Sequence, residues 1–336
     1  MNEIVKDIET QVSNLPKSTM VALRPRFEGS NICSWIGFKH VMYLVEEGVL
    51  DYFRQANLVP CRLFEEHGLC LEIVDSGARI LHALHMDDLA EIEVMPAARP
   101  DPTGLRLNVN VYLQRKGQRV KAVVAKVVVV FKLDDSPVTN SVAPKPLSQL
   151  AAYTVERISR ASSRQDLAKT DFAVERGVTN PEDDVVRQLN ASAANVFVWK
   201  WHIPYFYCHF TERMQHSGYL RLMEEVEDLF LADRGISIRQ MLHEKKWIPV
   251  VPQARVEILE EAYMEEKIYT VYTLENVYRE YTYTHRMDCY VVRDGRVIHT
   301  ATGSITHGYA VINSRQDWSL VEIDADSLAA INNVRS

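Results

Sequence analysis

At 336 residues the chain exceeds one ordinary domain and suits two cores of moderate size. Hydrophobic residues at 47% and charged residues at 25% match a soluble globular composition, which excludes a disordered or fibrous chain, and thirteen Gly with thirteen Pro exclude a collagen-like one. The net charge of −7 supplies no basic field for phosphates, so no nucleic-acid partner is expected.

No window reaches the length of apolar residues that a membrane helix needs; the most apolar run, Ala122 to Phe131, is of strand length and carries Lys126. Five cysteines (Cys33, Cys61, Cys70, Cys208 and Cys289) show no metal-ligand spacing and are odd in number. They read as reduced thiols of a cytoplasmic protein, and no metal or cofactor is expected. The opening MNEIVKDIETQV is acidic and amphipathic, unlike a signal peptide.

In chain order, Val21 to Phe27 alternates as a strand, and the loop EGSNICSW leads to a helix over Phe38 to Asn57. Its apolar residues Val41, Leu44, Val45, Val49, Tyr52 and Phe53 fall at helical spacing. Four strands are predicted next: Leu69–Asp75, Asp88–Met95, Leu105–Lys116 and Val120–Leu133. Gly117, in the turn KGQ, is free to take a positive φ. Pro144 to Asn195 lacks strand patterning and is read as a connector, with helices over Leu147–Ser162 and Glu182–Ala194 and a polar loop over Asp166–Pro181.

The plan then repeats. The aromatic run Phe197 to Phe210 reads as a strand with an edge or bulge at Pro204, followed by the loop TERMQHSG. A helix over Tyr219 to Arg234 presents Leu222, Val226, Leu229 and Phe230, and Gly235 is its stop signal. Strands follow at Pro249–Leu259, Lys267–Tyr278, Tyr281–Arg293 and Val297–Ile312, the last two joined by the hairpin signal RDGR. Strand, loop, long helix and four-strand meander, twice over, predict an α+β protein with an internal repeat of architecture. The boundaries read 1–19 for an N-terminal extension, 20–140 and 196–313 for the two repeats, 141–195 for the connector and 314–336 for a tail.

This pattern resembles the hotdog fold, in which an antiparallel sheet wraps one long helix. The segments GFKHVMYLVEEGVLDYFR and MQHSGYLRLMEEVEDLFLADRGI are similar to the helix-opening segment of hotdog thioesterases, and RDGRVIHTATGSITH to their last hairpin. The resemblance implies two tandem hotdogs acting as a pseudo-dimer within one chain, within the thioesterase and thiol ester dehydratase-isomerase superfamily. It implies an acyl thioester of coenzyme A or of an acyl carrier protein as substrate, and a site that neither repeat completes alone. Hydrolysis by activated water, in fatty acid or polyketide metabolism, is the leading expectation. A β-hydroxyacyl dehydratase or hydratase ranks behind it because no HxxxxGxxxxP arrangement is evident, and a non-hydrolytic acyl-transfer or acyl-binding role stays open. A homodimer of such chains is also left open.

Thioester hydrolysis needs a base to activate water and donors for the developing oxyanion. Each helix carries a pair of acids two turns in, Glu46 with Glu47 and Glu224 with Glu225, and Glu47 and Glu225 are taken as the catalytic members. His40 and His216 stand at the two helix openings, each three residues before a tyrosine, Tyr43 or Tyr219; either could simply cap or pack, and the polar neighbours Gln215, Ser217 and Gly218 favour His216 over His40 as the site residue. Gly37 and Gly218 occupy positions suited to backbone donors. The resemblance also implies an Asp ahead of the helix. Asn31 and His209 stand there instead: Asn31 could position water or form an Asx turn, and His209 could serve as a base. Glu212 is the nearest acid to His216. His209 is expected to share a strand face with Tyr205 and Tyr207. Cys33 and Cys208 read as inert thiols, and His299 and His307 as structural.

Overall fold

The computed structural model describes residues 15–99, 101–139, 145–160, 181–190, 195–315 and 317–333. The N-terminal segment read above and nearly all of the expected 166–181 loop lie outside these residues. The chain divides into two compact units. Unit 1 comprises residues up to Arg160 together with His209–His216, and unit 2 comprises Ala161–Cys208 and Ser217–Ser336.

In unit 1 the strands are β1 (Thr19–Leu23), β2 (Leu69–Ile80), β3 (Ala90–Pro96), β4 (Leu105–Arg115) and β5 (Gln118–Leu133). They form an antiparallel sheet in the order β1-β3-β4-β5-β2. The β4–β5 hairpin turns on Lys116 and Gly117, both at positive φ, as a tight two-residue turn requires. Helix α1 (Phe38–Gln55) lies against the inner face. All six residues of its predicted apolar stripe are buried, and Phe53 meets Phe131 edge-on at 5.4 Å. A short helix, α2 (Pro60–His67), follows; it opens on proline and closes on Gly68 at positive φ. Its sequence PCRLFEEH buries only Leu63, too weak a periodic signal to read from sequence.

The predicted helix over Leu147–Ser162 does not form. Ser148–Tyr153 makes a 3-10 turn, and β6 (Thr154–Val155) pairs in parallel with β5 through Phe131 and Lys132. The β-branched pair Thr154–Val155 suits a strand edge better than a helix interior, and β4, whose pairing ends at Val129, leaves that stretch of β5 open to it. Leu150, Tyr153 and Ile158 are buried in this strap.

Unit 2 repeats the architecture. Its strands are β7 (Val196–His202), β10 (Trp247–Ile258), β11 (Lys267–Tyr278), β12 (Thr282–Arg293) and β13 (Arg296–Ile312). β14 (Trp318–Val321) pairs with β13, and the two-residue strands β8 (Cys208–His209) and β9 (Arg213–Met214) form a separate pair on the His209–His216 segment that unit 1 takes in. The sheet order is β10-β13-β12-β11-β7. The β12–β13 hairpin turns on Asp294 and Gly295, both at positive φ, as Asp-Gly predicts. The expected strand through Phe210 stops at His202. Pro204 then starts a 3-10 turn over Tyr205–Tyr207, so His209 does not share an alternating face with Tyr205 and Tyr207.

Helix α3 (Pro181–Asn190) buries Val185 and Leu189 against Tyr269, Val271, Tyr290 and Val297 of the sheet. Helix α4 (His216–Asp233) ends at Gly235, which takes a positive φ. Its buried stripe runs through Tyr219, Leu222, Met223, Val226, Glu227 and Phe230. Leu229, expected inside, is exposed, and Glu227 takes the inward position that helical phase allots. Two short helices, α5 (Ile238–Lys245) and α6 (Ala325–Ile331), complete the unit. Among the described residues no helix is long and apolar enough to cross a membrane.

Candidate functional site

In unit 1 a carboxylate, an imidazole and a hydroxyl stand in line. The His216 Nδ1 lies 3.1 Å from Glu46 Oε2, and its Nε2 lies 2.5 Å from Ser76 Oγ. With a neutral imidazole, one tautomer satisfies both contacts: Nδ1–H donates to Glu46 while Ser76 donates to Nε2. His216 and Ser76 are buried, whereas a quarter of the Glu46 side chain remains exposed. Solvent thus reaches the line from its carboxylate end.

Helical phase puts Glu46 there. At 100° per residue Glu46 falls beside Met42 and Val49 on the margin of the buried stripe, while Glu47 points to the other side. Glu47 accordingly pairs on the surface with Arg54 at 3.5 Å and does not meet His216.

Ser76 owes its position to a β-bulge. Opposite β5, Ile73 pairs with Val129 and Asp75 with Val128, so Val74 is the extra residue. Without it, Glu72 and Ser76 would share a face, being four residues apart. The bulge reverses the parity: Glu72 pairs with Val130, while Ser76 pairs with Val127 on the α1-facing side that Phe131 marks.

Glu72, on the outer face, anchors a second cluster. It is buried, accepts from Arg213 Nη2 at 3.2 Å and lies 2.7 Å from His209 Nε2. Burial alone would raise its carboxyl; the charges and hydrogen bonds of His209 and Arg213 outweigh that and hold it below its ordinary range. These contacts fix the segment His209–His216 within unit 1, with its Glu72 contacts on one face of β2 and its Ser76 contact on the other. A cavity of about 240 Å³, lined by Val74, Gly104, Val130, Tyr153, Ile158 and Arg160, also lies on the outer face, away from Ser76.

The other residues singled out in the sequence do not converge on His216. His40 is buried, edge-on to Tyr43 at 5.0 Å and 3.8 Å from Glu28, above a glycine that leaves it room: a Cβ on Gly29 would stand 2.5 Å from His40 Cγ. Gly37 caps α1, but its N–H donates to Gly29 O at 3.0 Å. Asn31 is exposed and accepts from the Ile32 N–H, the adjacent residue and not the one two positions on that an Asx turn uses. Glu212 is exposed. In unit 2, Glu225 is exposed and accepts from the Tyr207 hydroxyl at 3.4 Å; Tyr219 is wholly buried, and Gly218 lies in the first turn of α4. Sequence reasoning missed Ser76, Glu72 and Arg213. An acid inside the apolar run LCLEIV is the one signal that could have pointed to the second cluster.

No family model matches this chain, and no curated protein matches it in sequence. Among solved structures it is similar to a Lactobacillus plantarum protein assigned as an oleoyl thioesterase, at 10% identity over 90% of this chain and 98% of that one, with a TM-score of 0.54. It is similar to the 12:0-ACP thioesterase of Umbellularia californica at 8% identity, 91% and 98% coverage and a TM-score of 0.52. An acyl-ACP thioesterase from Bacteroides thetaiotaomicron gives 8% identity, 87% and 98% coverage and a TM-score of 0.51. At such identities the likeness is one of fold. The chain is an α+β protein of two tandem hotdogs, the architecture these thioesterase structures share.

Proposed function

We propose that this protein hydrolyses an acyl thioester, carried on coenzyme A or on an acyl carrier protein, with Glu46 as the general base toward water. The Glu46–His216–Ser76 line carries this reading. Glu46 keeps an exposed edge on which water can sit, and His216 is locked behind it by Ser76. A carboxylate with one oxygen committed to an imidazole N–H keeps its second oxygen for a water proton. As that proton arrives, the His216 N–H stays hydrogen-bonded to the other oxygen and holds the carboxyl in place. The tandem-hotdog fold, common to the thioesterase structures, supports a thioester as the substrate class.

The 2.5 Å approach of Ser76 Oγ to His216 Nε2 favours a second route, in which Ser76 attacks, His216 takes its proton and Glu46 orients the imidazole. Burial of Ser76 places this route behind the first.

The test is release of free thiol from a panel of acyl-CoA and acyl-carrier-protein substrates by the full chain, beside His216→Ala. Release that falls at least about 100-fold in the variant supports the proposal. No release from any substrate, or equal release by the variant, refutes it. A covalent acyl-enzyme trapped at Ser76 would select the second route.

A further inference from the structure

The core of unit 2 holds an acid and two imidazoles that hydrophobic packing does not explain. Glu227 sits in the middle of the buried stripe of α4. His285 on β12 and His307 on β13 face it from the sheet, on the side where a Cβ at Gly303 would strike Met223 of α4. Both imidazoles are fully buried, His285 among the rings of Tyr272, Phe230 and Tyr283 at 4.3, 4.5 and 5.3 Å.

The donor atoms converge without bonding to one another. His285 Nδ1 lies 3.4 Å from Glu227 Oε2 and His307 Nδ1 3.5 Å from Oε1; one donor atom from each residue lies within 4.8 Å of the other two. Neither Nδ1 has a hydrogen-bond partner among the described residues, and the Nε2 of His285 has none either. The carboxylate instead accepts from the hydroxyls of Tyr272 at 2.6 Å and Tyr283 at 2.9 Å. An imidazole nitrogen without a hydrogen-bond partner is a fit ligand for such an ion, and each of the two residues places one beside the carboxylate.

An ordinary His–carboxylate contact closes to hydrogen-bond distance, as His209 and Glu72 do at 2.7 Å in this same chain. Donors held around a tetrahedral ion with bonds of about 2.0–2.1 Å stand roughly 3.3–3.4 Å apart. Around Glu227 the two imidazoles stand at 3.4 and 3.5 Å, each from a different carboxylate oxygen, nearer the second spacing than the first, and all three donors stay within 4.8 Å of one another.

We propose that Glu227, His285 and His307 form a site for a divalent transition-metal ion of the zinc class, with the Tyr272 and Tyr283 hydroxyls orienting the carboxylate. The ion ties α4 to β12 and β13 and supplies positive charge to a buried carboxylate. Its enclosure by aromatic rings sets it apart from the Glu46–His216–Ser76 line, and it is independent of the proposed hydrolysis.

The test uses the full chain, unfolded with a chelator and refolded with or without Zn²⁺ or Co²⁺. Elemental analysis should find one zinc per chain, Co²⁺ should give visible ligand-field absorption, and Tm should rise with metal. His307→Gln should abolish the Co²⁺ spectrum. Tyr272→Phe, a gentler change, should weaken the ion by about 10- to 100-fold. Glu227→Gln separates two readings of the core. A metal site predicts loss of the ion and of the metal-dependent rise in Tm; a merely protonated acid predicts wild-type Tm and no metal in either protein. Substoichiometric zinc and an unchanged Tm in the refolded wild-type chain overturn the site, whatever the variants do. So does an ion retained at full strength in both His307→Gln and Glu227→Gln.

Discussion

Glu46→Gln is the sharpest test of the proposed chemistry, because the amide keeps the size of the side chain and removes its capacity as a base. General-base catalysis is worth about 10²- to 10⁴-fold, or about 2.7–5.5 kcal/mol of transition-state stabilisation. The stability cost is much smaller. A hydrogen bond to a charged group contributes about 1.5–3 kcal/mol when sheltered. Here the Glu46 side chain is a quarter exposed and its contact with His216 is 3.1 Å, so solvent reduces the loss to about 1 kcal/mol. The variant therefore stays folded at assay temperature. Thiol release followed with a chromogenic reagent should show kcat down by at least about 100-fold, with KM within about threefold. Glu47→Gln is the matched control, since it breaks only a 3.5 Å surface pair with Arg54 that contributes about 0–1 kcal/mol. A Glu46→Gln enzyme within about threefold of wild type, or a Glu47→Gln enzyme equally impaired, refutes the assignment.

Three further outcomes are expected. Ser76→Ala removes the hydroxyl that holds His216 Nε2, so kcat should fall about tenfold if Ser76 only positions the imidazole and about 10³-fold or more if it is the nucleophile. Glu72→Gln deprives buried Arg213 and His209 of their shared carboxylate and should cost about 3 kcal/mol at pH 7, read by urea unfolding. Because the folded chain holds the Glu72 carboxyl below its ordinary 4.5, the contribution of Glu72 is full above that value. It is lost as pH falls through the folded value, and the variant should lack this part of the acid dependence; an identical pH profile in both proteins excludes it. Gly303→Ala would bring a methyl to 2.7 Å from Arg255 O and 2.6 Å from Met223 Cε, and thermal unfolding should register a loss of about 1–3 kcal/mol.

Local signals in the sequence were strong where local chemistry decides. Asp294–Gly295 and Lys116–Gly117 turn where two-residue hairpins need positive φ, and α1 buries the stripe that its spacing announces. They were weak where a partner decides. Thr154 and Val155 leave a helical pattern because the flank of β5 takes them, a contact no local window contains. His216 could be singled out by residue type and place. Its partner among the acids of α1 depends on helical phase, and the periodicity that fixed the apolar stripe also distinguishes Glu46 from Glu47. Ser76 was beyond reach because one extra residue, Val74, sets its face, and a bulge carries no mark in the run EIVDSG.

Phase also separates the two helices chemically. Both carry acids on an amphipathic surface, but α1 sets Glu46 at the margin of its buried stripe and α4 sets Glu227 at the centre. The marginal acid keeps about a quarter of its side chain exposed and can meet water while touching an imidazole. The central one is 5% exposed and is met by the hydroxyls of Tyr272 and Tyr283 and by the imidazoles of His285 and His307. A carboxylate at the first position suits turnover; one at the second is costly unless a proton or a cation compensates it. Rotation of about one residue along a helix thus separates the acid proposed to work on a substrate from the one proposed to hold an ion.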